Sequence, residues 1–145
     1  MQRLAREARV DPLVRAFAVD LAAGCPPRGD ACKIARVFDF TRERVRFCAD
    51  PLGVELLHAP GFLLAQIELT GETFVDCDDA AVLQAALLGA VGTRSRFVVG
   101  SFLPSRAFHH VWAEGWDGAQ WVQMDPFREE RFDQPPTRLA SREVG

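Results

Sequence analysis

Residues 80–91 read Ala-Ala-Val-Leu-Gln-Ala-Ala-Leu-Leu-Gly-Ala-Val, apolar nearly all round. A helix without a polar face must be covered on every side, so this segment predicts a central buried helix. Gly92 is its natural C-terminal stop. Val75-Asp76-Cys77-Asp78-Asp79 stands immediately before it. A thiol at the amino end of a buried helix meets unpaired N–H groups and the positive end of the helix dipole. Both favour the thiolate, which is the nucleophilic form of cysteine. Three neighbouring carboxylates act against this unless they turn away. Asp78 and Asp79 are expected to serve the first turn or to bind nearby backbone amides. Without partners, such a cysteine is more readily an inert packed residue.

The partners lie further on. His110 and Asp125 sit on two alternating segments joined by Trp116-Asp117-Gly118-Ala119. A two-residue Asp-Gly turn is a strong hairpin signal. With Asp117 and Gly118 at its centre, Trp116 faces Ala119 and His110 faces Asp125, within cross-strand contact range. Alternation puts His110, Trp112, Glu114 and Trp116 on one face, with Trp121, Gln123 and Asp125 on the matching face of the partner. His109 is expected to point the other way. Cys77, His110 and Asp125 thus suit a nucleophile, a base and an orienting carboxylate. Trp112 would wall the site and exclude water. For an oxyanion, the Cys77 N–H is the natural first donor. The second is either the Gln66 side chain or an amide in residues 69–76, with Asp76 among the residues supporting the site. His58, in Leu57-His58-Ala59-Pro60, is expected to be structural.

A chain of 145 residues is one domain by length, here taken as 1–145. Its net charge of −3 and scattered arginines give no footprint for nucleic acid. Further helices are expected over 11–23 (Asp11 as N-cap, Pro12 at the first position), over 30–42 with Asp30 as cap, and after Pro60 through Gln66. Residues 45–48 should be extended, 50–53 a turn and 69–75 a loop. Strands are expected at 94–101, 109–116 and 120–125. The segment 134–137 closes the regular structure; the tail, polar from about 134 to 145, is expected to be mobile from Thr137. Helices followed by an antiparallel sheet define an α+β fold.

Cys25, Cys32 and Cys48 have no zinc spacing and are expected, with Cys77, to be reduced thiols. The aspartates around Cys77 lack the spacing of a calcium loop. No metal and no cofactor are expected. Met1-Gln2-Arg3-Leu4-Ala5-Arg6-Glu7 is not a secretory signal, and no window approaches the roughly 18 apolar residues of a membrane span. A cytoplasmic protein is expected, without a membrane partner.

Asp76-Cys77-Asp78-Asp79, the small and leucine-rich run 80–88, Gly92, Arg96-Phe97-Val98-Val99-Gly100, His110-Val111-Trp112-Ala113-Glu114 and Trp121-Val122-Gln123-Met124-Asp125-Pro126 follow one another with regular spacing. Together they resemble the core of the transglutaminase-like cysteine superfamily over about residues 70–127. Val45-Arg46-Phe47, Asp50-Pro51 and Glu55-Leu56-Leu57-His58-Ala59-Pro60 resemble the lead-in of small bacteriophage and prophage members. Val75 departs from the glycine usual before Asp-Cys. The resemblance implies a papain-like core: N-terminal helices and a central helix with cysteine at its N-terminus, packed on a small antiparallel sheet. It also implies acyl transfer through a thioester on Cys77, with His110 as base and then acid and Asp125 as orienter. The expected substrate is a peptide or isopeptide carbonyl, with hydrolysis preferred to cross-linking. An inactive relative serving as a virion or tail component, with other phage proteins as partners, is the alternative. A cysteine peptidase of another papain-like family is the third reading.

Overall fold

The computed structural model describes residues 1–51, 54, 56–102, 108–128, 136 and 138–145. Of the segments expected above, Leu52, Gly53, Gln134, Pro135 and Thr137 lie outside the described residues.

The elements run α1 (Gln2–Ala8), α2 (Pro12–Leu21), α3 (Asp30–Arg44), β1 (Val45–Phe47), α4 (Pro60–Thr70), β2 (Thr73–Val75), α5 (Cys77–Ala90), β3 (Ser95–Ser101), β4 (His110–Trp116), β5 (Trp121–Met124) and β6 (Arg138–Glu143). The helix α5 explains the architecture. Ten consecutive residues, Asp79 to Leu88, are buried. One side of α5 presents Leu83, Leu87 and Leu88 to a core shared with Val14, Ile34, Val37, Leu63 and Leu64 of α2, α3 and α4. The other presents Ala81, Val82 and Ala85 to Phe97, Val111 and Ala113 of the sheet. An amphipathic helix could serve only one of these cores; the all-round apolar sequence serves both. In the middle of this helix Gln84 donates to the Thr41 hydroxyl at 2.8 Å, and that hydroxyl donates to the Phe38 carbonyl at 2.9 Å.

The antiparallel sheet has the order β5-β4-β3-β6, and β1 and β2 form a separate parallel pair. This gives the α+β class. The β1–β2 pair, with Val45 opposite Thr73 and Phe47 opposite Val75, replaces the loop expected at 69–75. It holds the chain extended up to Asp76, from which α5 starts.

Three further expectations are corrected. Gly29, not Asp30, caps α3. Asp30 lies inside the first turn, where its carboxylate accepts from Lys33 at 3.1 Å and from the Thr93 hydroxyl at 2.8 Å. Those two donors draw it away from its own backbone. The tail is not mobile over 138–143: it forms β6, paired with β3 from Arg96–Glu143 to Ser101–Arg138. An unpaired β3 edge would leave a row of N–H and C=O groups without partners. Its sequence is polar because much of it faces solvent, while Val144 alone inserts beside Ala5. Finally, Cys25 and Cys32 are not free thiols. They form a disulfide across seven positions, joining the loop after α2 to the first turn of α3. Two prolines and two glycines in 24–29 turn the chain back and bring the sulfurs together. Cys48 and Cys77 are not joined in a disulfide.

Candidate active site

Cys77 is the first residue of α5, and the cap before it is built from its neighbour. One Asp76 oxygen accepts the amides of Asp78 at 3.1 Å and Asp79 at 3.2 Å. Burial pushes the Asp76 carboxyl above its ordinary range. The Asp79 amide opposes that shift, while the charges of Asp78, Asp79 and Asp50 add to it. The Cys77 sulfur lies 3.9 Å from an Asp78 oxygen, a weak S–H···O contact.

His110 opens β4 and Asp125 directly follows β5. His110 Nε2 lies 2.6 Å from Asp125 Oδ2, with the two side chains 0% and 1% exposed. The other Asp125 oxygen accepts the Phe127 amide at 3.1 Å, which fixes the carboxylate's orientation. The β4–β5 register differs from the one expected. Trp116 faces Trp121 and Ala113 faces Met124, so the loop has four residues, not two. Asp117 is the reason. Its carboxylate accepts the amides of Ala119 and Gln120, both at 2.8 Å, and its own amide donates to the Gln120 carbonyl. The shift in pairing is even, so the face of every residue is preserved, and a diagonal neighbour replaces a direct one.

Trp112 is buried beside this pair, its ring 5.8 Å from that of His110. Its indole N–H donates to Glu114 at 3.2 Å, and Glu114 is gripped by Arg96 through Nη2 at 2.6 Å and Nε at 2.7 Å. The ring lies over Gly100, opposite His110 on β3. A Cβ on Gly100 would stand 2.8 Å from it, so only glycine allows this approach.

Cys77 and His110 line one cleft of about 340 Å³, together with Asp50, Asp76 and Asp78 on one side and Val99, Phe108, His109 and Val111 on the other. His109, expected to point away, is also part of this wall. It precedes the first residue of β4, and its Nε2 accepts the Phe102 amide at 3.2 Å. Gln66 is not brought to the cleft. Its side-chain carbonyl accepts from the Thr73 hydroxyl at 2.7 Å, tying α4 to β2. Asp50 entered the sequence reading as part of a turn and of the resembling lead-in, not as a site residue. Among the described residues, no group of three His, Cys, Asp or Glu side chains is arranged to hold a metal ion, and no helix is long and apolar enough to cross a membrane.

The profile of the transglutaminase-like superfamily matches residues 15–126. That is most of the chain, and it belongs to this superfamily. Among solved structures, it is similar to a protein from Cytophaga hutchinsonii provisionally assigned as a cysteine protease, with a TM-score of 0.54 at 14% identity. The match covers 90% of this chain and 50% of the other, so this chain spans half the length of that structure. At this identity the likeness is one of fold. No relative among curated protein sequences matches.

Proposed function

We propose that the protein is a cysteine acyl-transfer enzyme acting on a peptide or isopeptide carbonyl, with Cys77 as nucleophile, His110 as base and then acid, and Asp125 as orienter. The observation that carries this reading is the buried His110–Asp125 pair, with His110 among the residues that line the same cleft as Cys77 at the start of α5. Asp125 engages Nε2, so Nδ1 is the nitrogen that exchanges a proton with Cys77. The thiolate sulfur attacks the carbonyl carbon, and the oxygen takes the negative charge facing the Cys77 amide. Collapse breaks the carbon–nitrogen bond, and the departing amine takes the proton held by His110. Water then attacks the thioester as His110 accepts its proton, and the acid and the free thiol are released. Asp125 keeps the imidazolium oriented throughout. Trp112 and Phe102 keep water from the far side of the ring. Water is placed before an amine as acceptor because the structurally similar protein is assigned to the cysteine proteases.

Labelling with an iodoacetamide probe near neutral pH tests this. Cys77 should react well ahead of the exposed Cys48, with Cys77→Ala and Cys77→Ser as controls. Equal, slow labelling of both thiols would overturn it. The second reading, an inactive relative serving in a virion or tail assembly, draws on Asp50, Asp76 and Asp78, whose negative charges disfavour a thiolate. That labelling outcome is the one it requires.

A further inference from the structure

We propose that His58 is a positioning residue for Cys77, acting through Asp79; this rests on Cys77 being the nucleophile. Asp79 lies in the first turn of α5, two residues after Cys77, and is 1% exposed. Both of its oxygens go to one residue. Oδ1 accepts the His58 amide at 2.7 Å, and Oδ2 meets His58 Nδ1 at 2.6 Å. The His58 ring is in turn stacked on Phe62 of α4, 15° from parallel with ring centres 5.8 Å apart. The segment before α4 is therefore clamped to the turn that carries the thiol. Asp79 also donates its amide to Asp76, so the clamp continues into the cap that sets the Cys77 peptide.

Two consequences follow. The clamp fixes the direction in which the first turn of α5 presents the amide and sulfur of Cys77. It also screens a charge. A buried carboxylate two residues from a thiol raises the energy of the thiolate, and an Nδ1–H held against it offsets that effect. The other titratable groups lining the cleft with Cys77 are Asp50, Asp76, Asp78, His109 and His110. An ordinary structural pin would fix the turn without tuning the thiol, and that difference is measurable.

The test is the pH–rate profile of Cys77 alkylation by iodoacetamide in a Cys48→Ser background. His58→Leu keeps bulk against Phe62 and lacks the donor. It should raise the apparent thiol pKa by about one unit, so that labelling at pH 7 is about tenfold slower. His58→Asn places an amide N–H near the position of Nδ1 and should restore most of the rate. Asp79→Asn removes the buried charge and should leave the thiol pKa unchanged or lower. A raised thiol pKa in His58→Leu together with an unchanged or lower one in Asp79→Asn supports the proposal. Shifts of the same sign, or no shift in a folded His58→Leu protein, overturn it. Should His58→Leu not fold, Asp79→Asn and His58→Asn carry the comparison: a raised pKa in the first, or in the second, defeats the claim. An ordinary thiol profile in the Cys48→Ser parent would instead reject the nucleophile reading itself, and the positioning role with it.

Discussion

The His110 imidazole and the Asp125 carboxylate meet at 2.6 Å in a position closed to solvent, and the carboxylate's second oxygen is held by the Phe127 amide. Each group satisfies the other, and neither has water to replace it. Asp125→Ala would leave a buried imidazole and a buried amide without an acceptor. A loss of about 3–5 kcal/mol in unfolding free energy is expected, which is the range for breaking a buried pair on one side. Asp125→Asn retains an oxygen for Phe127 and should lose less, while still impairing Cys77 labelling. Urea denaturation of both variants measures this; a loss below about 1 kcal/mol in Asp125→Ala would show that the pair is not sealed.

A second prediction concerns the glycine across the ladder from His110. On Gly100, a Cβ would press on Trp112 at 2.8 Å and on Phe102 at 3.4 Å. Both rings lie within 6 Å of the His110 ring, centre to centre. Gly100→Ala should therefore destabilise by about 1–3 kcal/mol through overpacking and also slow Cys77 labelling by moving the imidazole. Gly118→Ala is the useful contrast. Gly118 has φ +108° and open space around it, so that variant strains only the turn. It should cost about 1–2 kcal/mol without changing labelling. Near-ultraviolet circular dichroism of the tryptophans, read beside the labelling rate, separates the two. Equal labelling rates would refute the link from Gly100 through Trp112 to His110.

How far the sequence carried these conclusions depends on the range of each interaction. The central helix was legible because an unbroken apolar face admits only burial, and the structure surrounds it with two cores. The Asp11 cap and Pro12 start were legible because they act within three residues. The face shared by His110 and Asp125 was legible because alternation survives any even shift in register. The loop length was not: an Asp-Gly pair is compatible with two-residue and four-residue turns, and the choice lies in where the Asp117 carboxylate finds its amides. Strand β6 was hidden by its polar composition, since pairing with β3 depends on backbone groups that every sequence carries. The His58–Asp79 clamp spans 21 positions and has no local signature at all.

The Cys25–Cys32 disulfide yields a third prediction. It closes a short loop of seven positions between α2 and α3. The loop-entropy relation gives about 2 kcal/mol for a loop of this size. Reduction, or the double change Cys25→Ser with Cys32→Ser, should lower the urea midpoint accordingly. Intact mass before and after alkylation under non-reducing conditions checks the bond directly: two thiols should label in the unfolded protein. Four labelled thiols would mean that these cysteines are reduced, as composition alone led one to expect.

The last prediction follows from Asp76, whose carboxyl is pushed above its ordinary range chiefly by burial. An acid with a raised pKa in the folded state binds its proton more tightly there than in the unfolded chain. Between the unfolded value of about 3.9 and the higher folded value, the folded protein therefore carries more protons. Stability must fall as pH rises through that window. This slope is opposite to that of a salt-bridged aspartate. Asn at position 76 can still accept the amides of Asp78 and Asp79, but it does not titrate, so Asp76→Asn isolates the effect. The stability of the wild type minus that of the variant should decrease from pH 3.5 upward and level off once Asp76 is ionised in both states. Asp117 provides an internal contrast, because bonds from the Gln120 and Ala119 amides lower its pKa; wild type minus Asp117→Asn should change in the opposite sense with pH. Urea titrations at half-unit pH intervals measure both differences. A wild-type advantage over Asp76→Asn that grows with rising pH would mean that the cap's charge is stabilised by the α5 amides more than burial opposes it. In that case Asp76 would be an ordinary helix cap, its charge held by the α5 amides.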